Sequence, residues 1–401
     1  MTLPFFARRG ALALLTFATL VACSGGGGGG SVTPPASGAS VGAGGSTPTP
    51  TPTASAKPSG SPSATPSASA SATVKPTATP TASPAPTTTP NPVAAACSQS
   101  QAASAPGISP TTTTAFLATV SSAKTICMSA YVFTTVAFQA LDAAAKNHAT
   151  VVVVFPQEQD SGSNASDLTQ LQTDGATVVI DPGAPNDYPL HAKLAVVDGV
   201  AYLDGHNWVE ASSYEPTDDV IIQDTLPSDF SAIESALNLN PVNSASGTLD
   251  TLKANSLAME AGFLSGLTVG AGTTVDYMTE SFSSGAANVV SALEAAGQAG
   301  AAVNVILVGS DETGSSDTSL IATMKAAPYN VKFYSNVSTG SEKVLSVSTD
   351  PGEVWYGSSN STSTSSQSSN YIDWGMLVTD STTITAINAY YAAQLSAATP
   401  M

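Results

Sequence analysis

The 401-residue chain predicts an α/β protein whose ordered part is built from two similar halves. Short apolar runs rich in β-branched residues alternate with stretches of helical period, which favours layers of sheet and helix. The alternation occurs twice in the same order: Val151 precedes His191 by 40 residues and Val303 precedes Ser341 by 38, the spacing of an internal duplication. Everything before residue 97 has a composition that cannot build a core.

Residues 1–22 hold Arg8 and Arg9, an apolar run from Gly10 to Leu20, and Leu20-Val21-Ala22 ahead of Cys23. These are the charged, apolar and small-residue regions of an export signal, and the run is too short to span a bilayer. The pattern resembles a bacterial lipoprotein signal. That implies a lipidated Cys23 and an exported protein tethered to the cell envelope, on the outer membrane in a Gram-negative cell because Ser24 is not aspartate. Residues 23–96 are almost entirely Gly, Ser, Thr, Pro and Ala, with only Lys57 and Lys75 charged. Such a segment buries too little apolar surface to offset its ordering entropy, so it is predicted to be a disordered spacer.

The first half spans residues 97–245. Thr125 to Val132 reads as a strand, Val136, Leu141 and Ala145 as one face of a helix, and Val151 to Phe155 as a buried strand. A helix around Leu168 to Leu171 and a strand from Ala176 to Ile180 lead to His191. The second half, 246–401, repeats this with Thr274 to Met278, a helix carrying Val289 and Leu293, Val303 to Val308, a helix from Leu320 to Met324, and Val331 to Tyr334. With Cys23 lipidated, Cys97 and Cys127 remain as an even pair in an oxidising compartment, which predicts a disulfide pinning the domain's start onto its first strand. Neither lies in a metal-ligand spacing, and no metal or other cofactor is expected.

Beyond position 96 there are seven lysines, no arginine and all 29 acidic residues, a formal charge of −22. Phosphate backbones are bound largely through clustered Lys and Arg, so a nucleic-acid partner is not expected. An anionic membrane surface would also repel this domain.

His191, Lys193 and Asp198, followed by Asp204-Gly205-His206-Asn207, make up a signature that resembles the HxK motif of the phospholipase D superfamily. Its end is one residue short, with Asp204 at the usual Gly and Gly205 at the usual Ser. In the second half Ser341 replaces the histidine and Ser348 the aspartate, while Lys343 and Gly357-Ser358-Ser359-Asn360 match. The resemblance covers nearly all of residues 97–401. It implies two α/β/α sandwich lobes packed together as an internal pseudo-dimer in a monomeric chain, with one motif from each lobe meeting in a cleft.

Phosphodiester attack suits these residue types. Imidazole is a nucleophile at neutral pH and can form a phosphohistidine, the role the resemblance gives His191. Lys193 and Lys343 would clamp non-bridging phosphate oxygens, and Asn207 and Asn360 would add neutral donors. The family's acidic residue after each motif orients the histidine; the candidates are Asp218 or Asp219, with Asp373 as counterpart. Asp198 reads as half of an Asp-Gly hairpin turn. His148, at a helix end, reads as a cap.

Ser341 stands where family enzymes keep the histidine that protonates the leaving alcohol and then activates water, and a hydroxyl is far too weak an acid for that. His206 reads as a turn residue that reaches the site only if the shortened loop swings inward. Glu342, one position off, points to the opposite strand face. Two functions therefore remain open. One is a lipid-anchored phosphodiesterase acting on a phospholipid or other phosphodiester through His191. The other is a catalytically lapsed envelope protein that binds a phosphorylated ligand.

Overall fold

A computed structural model of the chain describes residues 97–132, 135–182, 190–208, 219–252, 256–308, 317–336, 343–347, 353–361 and 371–401. Residues 1–96, to which the sequence analysis assigns an export signal, Cys23 and a spacer, lie outside these residues with Asp218, Ser341, Glu342 and Ser348, as does the side chain of Lys343.

Two mixed sheets carry the fold. The first contains β1 (Ile108–Thr111), β2 (Thr125–Ser129), β3 (Thr150–Pro156), β4 (Thr177–Asp181), β5 (Lys193–Val197), β6 (Val200–Asp204) and β7 (Ile221–Asp224), in the order β1-β7-β6-β5-β2-β3-β4. The second contains β8 (Leu249–Asp250), β9 (Thr274–Thr279), β10 (Ala302–Val308), β11 (Lys332–Asn336), β12 (Lys343–Val347), β13 (Glu353–Gly357), β14 (Gly375–Val378) and β15 (Thr399–Pro400), in the order β15-β11-β10-β9-β12-β13-β14-β8. Six strands of each match in order and direction, β4-β3-β2-β5-β6-β7 with β11-β10-β9-β12-β13-β14. Three are parallel and three return antiparallel in both. The duplication read from spacing is thus one of topology.

Helices α1 (Thr113–Ser122), α2 (Thr135–Lys146) and α3 (Gly162–Thr173) cover the outer face of the first sheet; α5 (Ser256–Gly266), α6 (Ala287–Gln298) and α7 (Thr318–Lys325) cover that of the second. Helices α4 (Pro227–Leu237) and α8 (Ser381–Ala397) join the layer between the sheets. The period-two pleat explains the uninterrupted apolar run in β3: Val151, Val153 and Phe155 pack outward against helices, while Val152 and Val154 pack inward. The inner layer mixes residues of both sheets, among them Leu194, Leu203, Met278, Ile306, Tyr356 and Met376.

Two elements differ from the sequence reading. The first strand is β1, not β2, and α1 follows it; β2 ends at Ser129, short of Val132. Thr111 to Thr114 looks like more of the Thr-rich spacer, yet the Thr112 hydroxyl accepts from Ala115 N at 3.3 Å and caps α1. His148 sits beyond α2 at φ 65°, a left-handed helix end that its backbone N–H closes onto Ala145.

Cys97 and Cys127 form a disulfide with Cα atoms 5.3 Å apart, closing a loop of 30 residues in sequence. Cys127 lies on β2, so the bond ties the domain's first described residue to the second strand in chain order. Replacing both cysteines with serine is expected to lower stability by about 3 kcal/mol, measured by denaturant titration against the oxidised parent.

Glu260 on α5 is buried. Burial pushes its carboxyl up to about 8, with the hydrogen bond from Tyr277 working weakly in the other direction. Between the ordinary carboxylate pKa and about 8, the folded chain keeps a proton that the unfolded chain has lost, so stability falls as pH rises through that window. Glu260→Gln should flatten this slope, seen as a thermal midpoint that declines less than the parent's from pH 5 to pH 9.

Candidate active site

The start of β5 is held by the other half of the chain. Leu190 forms a parallel bridge with Ile372, and the backbone N–H groups of His191 and Ala192 both donate to the Ile372 carbonyl at 2.9 Å. This brings His191 against the next residue, Asp373, with Nδ1 2.6 Å from Oδ1. The same Oδ1 accepts from the Ser358 hydroxyl at 2.9 Å, and Ser358 in turn accepts from Trp374 N at 3.1 Å. On the far side of the ring, Lys193 Nζ lies 3.0 Å from Nε2. An ammonium group only donates, so Nε2 carries the lone pair and the ring proton sits on Nδ1, donated to Asp373. The two-residue spacing does place His191 and Lys193 together.

All three groups are buried: His191 is 6% exposed, Lys193 0% and Asp373 1%. Burial pushes the Asp373 carboxyl up, but His191, through its hydrogen bond and through its charge whenever the ring is protonated, the charge of Lys193 and the Ser358 hydroxyl outweigh it. The carboxyl is left below its ordinary value and is ionised at neutral pH. Two tyrosines cover the imidazole, Tyr131 edge-on at 4.6 Å and Tyr371 tilted at 5.0 Å, and Lys193 Nζ lies 5.5 Å from the Tyr131 ring centre. Tyr131 donates to Glu158 at 2.7 Å, so the 3.0 Å contact between the two hydroxyls is donated by Tyr371. One tyrosine comes from each half.

The strand registers align the two halves residue by residue. Lys193 pairs with Asp204 and Lys343 with Gly357, so Asp204 takes the place of Gly357, Gly205 of Ser358 and Asn207 of Asn360. Leu203 pairs with Ile222 and Gly357 with Gly375, which makes Asp219 the counterpart of Asp373. The pairing with histidine is nevertheless crossed. Asp373 of the second half holds His191 of the first, and Asp219 does not. Asp219 accepts from Thr113 N at 3.2 Å, and its Oδ2 faces His206 Nδ1 at 3.8 Å.

Asp198 has φ 48° and Gly199 φ 80°, the two left-handed residues of a hairpin turn, and Asp198 accepts from the backbone of Lys124 and Thr125. Asn360 donates to Glu280 at 3.2 Å. Asn207 is partly buried beside Trp208, whose indole N–H donates to Ser129 O. Lys343 begins β12 at the register of Lys193, and Ser341 lies outside the described residues. The sequence reading missed both tyrosines and the Ser358 bond to Asp373. Ser358 was legible within the Gly-Ser-x-Asn match; an isolated tyrosine carries no such signal.

No family model and no curated protein matches the sequence. Among solved structures, the chain is similar to polyphosphate kinase from Porphyromonas gingivalis, with a TM-score of 0.51 and 16% identity over 74% of this chain. It spans about half of that protein's length, 48%. It is similar to phosphatidylserine synthase from Haemophilus influenzae at a TM-score of 0.51 and 10% identity, over 73% of this chain and 87% of that one. Nuc from Salmonella typhimurium, a phospholipase D family member, matches 33% of this chain with 92% of its own at 21% identity and a TM-score of 0.28.

Proposed function

Given that the chain has the phospholipase D fold, we propose that it is a phosphodiesterase that works through a phosphohistidine on His191. The observation that supports this best is the state of the imidazole: its Nδ1 proton rests on a buried, ionised Asp373, and its Nε2 lone pair is turned towards Lys193. Once Lys193 exchanges its contact with Nε2 for a phosphoryl oxygen, that lone pair is a nucleophile at neutral pH, and the carboxylate stabilises the positive ring that forms on attack. Lys193 then faces the charge that grows on the phosphoryl oxygens. Lys343, Asn207 and Asn360 are assigned to the same oxygens, Asn360 after exchanging its bond to Glu280.

The two structural neighbours are named for phosphate chemistry, a polyphosphate kinase and a phosphatidylserine synthase, and the proposed reaction is of that kind. The excess of carboxylates argues for a zwitterionic phospholipid or a soluble diester over nucleic acid. The lipoprotein-type signal argues for an exported enzyme held on the cell envelope by Cys23.

Intact-protein mass spectrometry after rapid, acid-free quenching with phosphodiesters tests the proposal. A phosphoryl adduct that maps to His191 is the expected result. Ligand protection in a thermal shift, with neither adduct nor product from any diester, would instead describe a binding protein.

A further inference from the structure

Resting on that reading, we propose that His206 is the general acid and base of the reaction, standing in for the histidine the second half lacks, and that Asp219 positions it. The symmetry of the fold leads to this pair. Asp373 supports a histidine from the opposite half, so its register counterpart Asp219 is the carboxylate that would serve position 341, where the sequence has serine. Asp219 does abut the second half, because its neighbour Val220 accepts from the Tyr356 hydroxyl at 2.6 Å. The imidazole facing it is that of His206.

Two departures of the first motif bear on this placement. Asp204, at the usual glycine, accepts from His206 N at 2.8 Å and turns the chain two residues on. Gly205 lacks the hydroxyl that Ser358 gives to Asp373, so no serine occupies the Asp219 carboxylate from that position. In this turn His206 Nδ1 lies 3.8 Å from Asp219 Oδ2, with His206 2% exposed and Asp219 1%. That distance exceeds a hydrogen bond, as catalytic contacts in free enzymes often do. Trp374, next to Asp373, donates its indole N–H to Asp204 O at 2.9 Å and so ties this turn to the residue that holds His191. Both imidazoles then present Nδ1 to a buried carboxylate, and the proposed chemistry runs through Nε2 of each.

In the first step the Nε2 lone pair of His191 bonds to phosphorus as the P–O bond to the alcohol breaks, and the departing oxygen takes the Nε2 proton of His206. In the second, water gives a proton back to His206 Nε2 while its oxygen bonds to phosphorus and the N–P bond breaks. A phosphomonoester leaves and both rings are restored.

The test uses the full chain with two probes: bis(4-nitrophenyl) phosphate, whose nitrophenolate leaves without a proton, and a short-chain phosphatidylcholine, whose alcohol needs one. His206→Gln should lose about 10²- to 10⁴-fold on the phosphatidylcholine. It should keep a stoichiometric nitrophenolate burst near the parent rate and accumulate the phosphoryl adduct. Asp219→Asn should show the same leaving-group bias more weakly, and it decides the matter if His206→Gln fails to fold. Turnover of phosphatidylcholine by both variants within about threefold of the parent overturns the proposal, as does equal loss of burst and turnover, which marks a structural role. A burst that survives His191→Ala, or no burst from the parent, overturns the function proposed above instead.

Discussion

His191→Ala is expected to abolish the phosphoryl adduct and lower turnover by at least ~10³-fold, the scale of losing a covalent nucleophile. Rate at saturating substrate should collapse with little change in ligand protection, because the phosphate-facing donors remain. The variant should also fold. His191 is a partner to Asp373, but Ser358 and Lys193 still surround that carboxylate. Burst kinetics with bis(4-nitrophenyl) phosphate, beside a thermal midpoint for each protein, would settle both expectations. A burst equal to the parent's would exclude His191 as nucleophile.

Asp373→Asn is expected to cost about 10²- to 10⁴-fold, by analogy with removing the carboxylate behind a catalytic imidazole. An amide in this place has two poor choices. With its oxygen towards Nδ1 it keeps the tautomer but loses the charge that stabilises a phosphorylated ring. With its NH₂ towards Nδ1 it drives the proton to Nε2 and removes the lone pair. The substitution also leaves Lys193 buried without its nearby anion, which should lower stability by roughly 3–5 kcal/mol. The depressed Asp373 carboxyl gives the sign of the pH effect. Its contribution is present above the unfolded pKa of about 3.9 and is lost as pH falls through the folded value, so the variant and parent should converge in strong acid. Denaturation at pH 7 and pH 3 checks this.

The architecture was legible because both halves repeat long apolar runs at matched spacing, and β3 and β10 stand where Val151 to Phe155 and Val303 to Val308 indicated. Element β1 was not, since Ile108 to Thr111 is short, partly exposed and continuous in composition with the spacer. At the site, the HxK spacing was enough to put His191 and Lys193 side by side, because strand periodicity is a local rule. Which carboxylate meets which imidazole is decided by how the lobes pack, and no local pattern carries it. For the same reason Asp204 and Gly205 read as defects in a motif. Only the structure shows Asp204 accepting from His206 N in the turn that follows β6.

The crossed bond between His191 and Asp373 makes neither lobe a unit of inheritance for the chemistry. A histidine can vanish from the second half of the sequence without disturbing its neighbour, because what that neighbour borrows is a carboxylate. The debt runs in one currency only. A fragment ending before Asp373 would retain the His191 ring and its lysine but not the group that fixes its proton, so separately expressed halves would show the proposed activity only by reassembling across the same seam.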